Sequence, residues 1–187
     1  MSSPASEKAR LFVALDLPDP VRSAVVAWQT SHVAPLPSLR LVRPEALHVT
    51  LCFLGWRTVD EIDPISAAAM SAAAEAHDLS LGEPAWLPRR RPRVLALEVG
   101  DPGGACATLQ AALTDSLVEG AFYEREKRPF FPHVTVARVR GGTPRGLGRE
   151  ELPAPEPLPF SGAAVTLYRS RPTSGGATYE PLARVEL

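Results

Sequence analysis

The sequence predicts an α+β fold made of two related lobes, and three observations carry that expectation. Strand-like runs outnumber helix-like runs along the 187 residues. The helices do not alternate strictly with the strands, as they would in a doubly wound sheet. One tripeptide, His-Val-Thr, occurs twice, at His48–Thr50 and His133–Thr135, nearly half the chain apart. The length suits a single domain with enough chain to bury a real core.

Arg10 to Leu17 is a short apolar run closed by Pro18 and Pro20, the length and punctuation of a buried strand. Asp19 is then placed to cap a helix with Pro20 at its first position, and Val21 to Thr30 continues it with Val25 and Trp28 on one side. His32 to Pro37 breaks the pattern. Leu39–Arg43 and Ala46–Leu54 read as two extended runs around Pro44-Glu45, hairpin-like, with Gly55 closing the second. Asp63-Pro64 opens a second helix over the alanine-rich stretch Ile65 to His77.

Leu79–Leu87 and Arg93–Val99 read as strands around the basic cluster Arg89, Arg90, Arg91 and Arg93. A third helix runs from Gly104 to Glu119, with Leu109, Leu113 and Leu117 four apart and Gly120 at the C′ position. Phe130–Arg140 is a strand that tolerates Pro132 only near its start or on an edge. The Gly- and Pro-rich stretch 141–159 is a surface connection. Ser161–Arg169 and Thr178–Leu187 close the chain as strands around a Gly175-Gly176 turn.

Composition excludes more than it assigns. Twenty Lys and Arg face twenty-one Asp and Glu, a net charge of −1, so a dedicated duplex-DNA binder is not expected. Cys52 and Cys106 stand in no CxxC or Cys/His cluster, which fits a reducing compartment and no structural zinc. Met1 to Arg10 is polar without a signal-length apolar stretch, and no eighteen-residue apolar segment occurs. A cytoplasmic protein with no membrane partner is expected.

The repeated tripeptide carries the chemistry. On a strand, residues two apart share a face, which sets His48 beside Thr50 and His133 beside Thr135 while Val49, Leu51, Val134 and Val136 point into the packing. If the two strands meet across one cleft, two imidazoles and two hydroxyls gather there. That set suits a phosphodiester: one neutral imidazole takes a proton, one imidazolium gives a proton, and the hydroxyls hold the non-bridging oxygens. A zinc site fits less well, because Glu45 precedes His48 by a helical rather than a strand spacing. A His-x-Thr also occurs simply as the polar face of a half-buried sheet. His32 and His77 are assigned no chemistry.

Across nearly the whole chain the sequence resembles the RNA 2′,3′-cyclic phosphodiesterases, the 2′-5′ RNA ligase family of the two-histidine phosphoesterase superfamily. The resemblance lies in RLFVALDLP at Arg10 to Pro18, LHVTLCFLG at Leu47 to Gly55, RPRVLALEVG at Arg91 to Gly100, RPFFPHVTVAR at Arg128 to Arg138 and VTLYRSRPTSGGATYEPL at Val165 to Leu182. It implies one bilobal domain over 1–187, with HxTx motifs at 48–51 and 133–136. The lobes would be pseudo-symmetric, each with an antiparallel sheet facing a central cleft and helices outside.

The activity implied is metal-independent hydrolysis of a terminal 2′,3′-cyclic phosphate on RNA to a 2′-phosphate, with reversible 2′-5′ ligation as a second outcome and no cofactor. Carried residue by residue, His48 resembles the proton donor to the leaving 3′ oxygen and His133 the base that activates water. Thr50 and Thr135 match the phosphate-holding threonines. Arg138 matches an arginine that follows the second motif, yet alternation gives it the parity of Val134 and Val136, so a bulge or the strand end must turn it to reach the cleft. Arg93, with Arg91, sits where the family places basic residues, a solvated loop being the other reading, and Phe12 is a candidate base-stacking surface or else a core residue.

RNA ends, tRNA fragments among them, are the implied partners of a monomer. Two other readings keep the same residues: a cyclic phosphodiesterase acting on a small nucleotide such as an ADP-ribose cyclic phosphate, and a non-catalytic module that binds nucleotide or RNA ends.

Overall fold

The computed structural model describes residues 7–141, 151–173 and 176–187. The strands are β1 (Lys8–Asp16), β2 (Leu39–Leu41), β3 (His48–Thr58), β4 (Leu79–Leu87), β5 (Val94–Gly100), β6 (His133–Val139), β7 (Pro159–Phe160), β8 (Ala164–Thr173) and β9 (Gly176–Glu186). The helices are α1 (Asp19–Trp28), α2 (Ile62–Ser71) and α3 (Ala105–Glu119), and a π-helical turn, Gln29–Val33, follows α1. Among the described residues no helix is long and apolar enough to cross a membrane.

The fold is α+β, and all pairings among the described strands are antiparallel. The strand order is β7-β4-β5-β6-β3-β1-β8-β9, which divides into two four-stranded halves, one ending on β3 and the other on β6. These two strands carry the His-Val-Thr copies, and they meet where Val49 pairs with Val134. The junction is short because β2 takes over the same edge of β6, pairing Leu39–Leu41 with Val139–Ala137.

That pairing corrects the hairpin expected between Leu39–Arg43 and Ala46–Leu54. A three-residue 3-10 turn at Pro44–Ala46 joins them, but the first run is drawn to β6 rather than to its neighbour in sequence. Gly55 does not end β3 either. Its φ of +72° lies in the left-handed region open to glycine, and the strand continues to Thr58 through a register shift against β1.

The second helix starts and stops earlier than its composition predicts. Thr58 and Glu61 form a capping box at the turn leading into it, so it opens at Ile62 ahead of Pro64. It stops at Ser71, leaving alanines 72–74 outside despite their propensity. Gly120 caps α3 at φ −74°, and Ala121 takes the left-handed conformation instead. A Cβ at Gly120 would collide with the Phe122 ring, so this glycine is required for close approach. Residues 142–150 of the expected connection and Gly175 of the expected turn lie outside the described residues.

The core lies between the sheet and the helices. Val21, Val25 and Trp28 of α1, Ile65 and Ala69 of α2, and Leu109, Leu113 and Leu117 of α3 pack with Leu11, Val13, Leu15, Val49, Leu97 and Val134. Each large side chain fully buried here contributes about 2 kcal/mol of transfer free energy. Burial of Val49 and Val134 at 0 % exposure turns their neighbours in both motifs to the opposite side of the sheet.

Candidate active site

The Val49–Val134 pair fixes the site. In an antiparallel pairing the residue after one partner lies beside the residue before the other, so Thr50 sits next to His133 and His48 next to Thr135. The four side chains therefore meet on one face at the seam between the two half-sheets. Each motif crosses over to the other's histidine, which is what a twofold relation through that pair produces.

Both strands bulge immediately after the threonine. Against β1, Cys52 pairs with Val13 and Thr50 with Ala14, so Leu51 is extra. Against β5, Ala137 pairs with Leu95 and Thr135 with Ala96, so Val136 is extra. An extra residue reverses the alternation beyond it. Leu51 with Cys52 and Val136 with Ala137 are all buried, while Phe53 and Arg138 emerge exposed on the face of the histidines and threonines.

Arg138 thus reaches the cleft by the bulge that strict alternation required, and lines both of its arms. Arg93 lines the larger arm, whereas Arg91 is exposed and absent from either wall. Phe12 departs from its expected role. It is only 3 % exposed, with its ring stacked 5.0 Å from His48 and 5.3 Å from Tyr168 and met edge-on by Tyr179, so no face remains for a base. It belongs to a buried cluster of four rings with His48, Tyr168 and Tyr179, and it supports the imidazole instead.

His48 is the more enclosed histidine. Its Nε2 lies 3.1 Å from Thr50 Oγ1, and Tyr179 meets its ring at 5.4 Å. Burial pushes its pKa down from 6.5 to about 4; a hydrogen bond with the Ala46 backbone opposes this, and the positive charges of Arg138 and His133 add to it. Beneath the stack, Asp16 is 5 % exposed and accepts hydrogen bonds from Thr166 Oγ1 at 2.8 Å and Tyr168 Oη at 2.9 Å. Burial, with the Asp16 charge, raises the Tyr168 phenol to about 12, so it stays a donor and holds the aromatic stack in place.

His133 is oriented from the other side. Its Nδ1 lies 2.8 Å from the Phe131 carbonyl oxygen, an acceptor only, so Nδ1 carries a proton and Nε2 is left with its lone pair when the ring is neutral. The Phe131 ring stacks on it at 5.6 Å.

The cleft has two arms that share Thr50, Phe53 and Arg138. A smaller arm of about 340 Å³ is lined by His48, Thr135, Phe12, Tyr179, Ser170 and Arg10 among others. A larger arm of about 980 Å³ contains His133, Phe131 and five arginines, Arg89, Arg93, Arg125, Arg128 and Arg138, against Glu98 and Glu126. Phe53 is 43 % exposed at the junction, with the Arg10 guanidinium 4.8 Å from its ring centroid. Among the described residues no three His, Cys, Asp or Glu are grouped to hold a metal ion.

Sequence reasoning missed Phe53, Phe131 and Tyr179. For Phe53 a signal existed, since it holds the same place after its motif as Arg138 does after the other. His32 stands beside Trp28 and His77 against Asp78, and neither lines the cleft. Cys52 and Cys106 are buried, with burial raising their thiols to about 11 and about 12.

Comparison with known proteins places this geometry. The family model described as the 2′-5′ RNA ligase superfamily matches residues 17–173. The chain is 30 % identical to an RNA 2′,3′-cyclic phosphodiesterase of Escherichia coli, over 96 % of this chain and 97 % of the relative. It is 33 % identical to one of Thermus thermophilus, over 73 % and 71 %. Its fold is similar to that of E. coli LigT complexed with 3′-AMP, with a TM-score of 0.77 and 27 % identity over 97 % of this chain and 99 % of that one. A LigT structure with NADP+ matches at a TM-score of 0.76 and 28 % identity over the same shares.

Proposed function

The chain belongs to the 2′-5′ RNA ligase superfamily, and from that premise we propose that it hydrolyses the terminal 2′,3′-cyclic phosphate of RNA to a 2′-phosphate, with His48 and His133 as acid and base. The observation that carries this reading is the Val49–Val134 pairing, which puts both histidines and both threonines on one face of one cleft.

In the reaction, His133 Nε2 takes a proton from water as the water oxygen attacks phosphorus. The bond from phosphorus to the 3′ oxygen breaks, and His48 gives that oxygen its proton. Thr50, Thr135 and Arg138 hold the non-bridging oxygens, and their hydrogen bonds strengthen as charge builds there. No step calls on a metal ion. Burial by itself favours the neutral form of His48; an anionic phosphodiester seated beside it favours the imidazolium and loads the acid with its proton. With a 5′-hydroxyl in place of water, the same transfers join two strands through a 2′-5′ linkage. Cytoplasmic RNA ends, including tRNA fragments, are the substrates this reading expects.

A second reading keeps the chemistry on a small nucleotide. It is favoured by the aromatic character of the 340 Å³ arm and by the nucleotides bound in the LigT structures.

The deciding experiment is incubation, in EDTA, with an RNA oligonucleotide and with a mononucleotide, each ending in a 2′,3′-cyclic phosphate, followed by mapping of the product. A 2′-phosphate made fastest on the oligonucleotide supports the proposal. A 3′-phosphate overturns the placing of His48 near the 3′ oxygen, turnover of the mononucleotide alone selects the second reading, and stoichiometric binding without turnover leaves only a binding module.

A further inference from the structure

Resting on that reading, we propose that Glu98 positions the attacking water for His133 and thereby selects water over an alcohol as the nucleophile. Glu98 lies on β5 directly opposite His133 of β6. Residues so paired carry their Cβ atoms about 4.5–5.5 Å apart on the same face of a sheet. Glu98 therefore stands on the face that carries both histidines and both threonines, and it lines the larger arm of the cleft together with His133. Two residues earlier, Ala96 is paired with Thr135 and ends at its Cβ, so Glu98 is the one polar side chain of β5.

No described group uses that carboxylate. Among the described residues Glu98 forms no side-chain hydrogen bond and no ion pair, although five arginines line the same arm. It does not hold the imidazole either. His133 is oriented by Phe131, whose carbonyl oxygen lies 2.8 Å from Nδ1 and whose ring stacks at 5.6 Å. The stem of Glu98 is fixed from the side of β4, where Gly82 approaches so closely that a Cβ there would come 3.3 Å from the Cβ of Glu98 and from its carbonyl oxygen. An ionised carboxylate is an acceptor only. Half-buried beside the base and free of partners, it works against the binding of phosphates in an arm otherwise receptive to anions, and it calls for a ligand that has a proton to donate.

Water brings two protons to the reaction and an alcohol brings one. As the water oxygen bonds to phosphorus, His133 Nε2 takes the first proton, the bond to the 3′ oxygen breaks, and His48 protonates that oxygen. The second proton stays with the water oxygen, now on phosphorus, and during the attack it is donated as a hydrogen bond to Glu98. Held by two acceptors, the water keeps a lone pair aimed at phosphorus, and such alignment is a large part of the rate of a displacement. A hydroxyl on carbon spends its single proton on His133 and has none for Glu98.

The test presents an RNA oligonucleotide ending in a 2′,3′-cyclic phosphate in aqueous methanol and reads, by mass, the ratio of methyl ester to free 2′-phosphate for the parent, Glu98→Gln and Glu98→Leu. This ratio does not depend on how much of each protein is folded. Glu98→Leu removes the acceptor, and the ratio is expected to rise about tenfold or more, the worth of one hydrogen bond to a charged group, through a fall in the hydrolytic kcat with KM unchanged. Glu98→Gln keeps an uncharged acceptor oxygen and is expected to give a ratio between the two. An unchanged ratio in Glu98→Leu overturns the proposal whether or not turnover falls, since a charge acting on His133 or a distorted site slows both nucleophiles alike. Should Glu98→Leu give no product, an unchanged ratio in Glu98→Gln overturns it. Normal turnover by the parent with an unmoved ratio in the variants leaves the hydrolytic reading standing, whereas a parent protein that turns over no cyclic phosphate overturns that reading and this proposal with it.

Discussion

The side-chain amide of Gln29 donates to the carbonyl oxygen of Val136 across 2.7 Å, and Val136 is the extra residue that turns Arg138 into the cleft. The same amide donates to the Val42 carbonyl at 3.0 Å, and the Val42 N–H reaches the Val136 oxygen at 2.9 Å. Gln29 is 2 % exposed and opens the π-helical turn after α1. The Val136 carbonyl thus accepts both from the Val42 backbone and from a buried amide of another layer, which ties the bulged strand to the end of α1.

Gln29→Leu keeps the volume and removes both donations, at a cost of about 1–3 kcal/mol. We expect Arg138 to shift with the bulge and turnover to fall. Because the Arg138 charge lowers the His48 pKa, the variant's His48 should titrate higher, as read by NMR. A lower melting temperature with an unchanged His48 titration would assign Gln29 to packing alone.

Replacing either histidine by alanine removes a proton-transfer group worth about 10²–10⁴ in rate, and both variants should keep the far-UV circular dichroism of the parent. Thr50→Val and Thr135→Val remove single hydrogen bonds to a charged phosphate, each worth about 1.5–3 kcal/mol. They should therefore slow kcat/KM by roughly one to two orders of magnitude. Near-normal turnover by either histidine variant would defeat the acid–base pairing.

The four motif residues were legible in the sequence because their placement needs only strand alternation and a repeat. Arg138 was not, since a bulge is set by how β6 pairs with β5 and by the donor that Gln29 brings from across the fold. Phe12 is core rather than a stacking surface for a related reason: two of the rings that cover it, Tyr168 and Tyr179, come from β8 and β9 at the far end of the chain, and no local pattern reports them. The expected hairpin failed because Leu39–Leu41 found its partner about a hundred residues away in β6, a pairing no local pattern encodes. The α+β class and two-half organisation survived these errors, because the strand-like runs and the repeat do not depend on which strands pair.

The pH dependence of stability has a definite sign. The His48 pKa is about 4 in the folded chain against an ordinary value of 6.5, so between those values the unfolded chain binds more protons. Stability from this group is therefore fully present above pH 6.5 and is lost as pH falls toward about 4, by on the order of 3 kcal/mol at most. Urea titrations at pH 7 and pH 4.5 should show a larger acid loss for the parent than for His48→Asn. Equal losses would mean that the imidazole is not desolvated as the stack with Phe12 implies.

Two phenylalanines that look alike in sequence should separate by experiment. Phe12 is 3 % exposed under His48, and Phe12→Ala opens a cavity in the stack, costing about 3–5 kcal/mol of stability. Phe53 is 43 % exposed at the junction of the two arms, its ring facing the Arg10 guanidinium. Truncating it leaves the core intact, so Phe53→Ala should melt within a few degrees of the parent. The loss should appear instead in KM for RNA ends, by roughly ten- to a hundredfold, the value of one base stacked on an aromatic ring, with kcat little changed because the histidines and threonines keep their places. Melting curves and Michaelis constants for both variants test the contrast; a Phe53→Ala protein that unfolds early but keeps its KM would make that ring a packing element rather than a surface for a base.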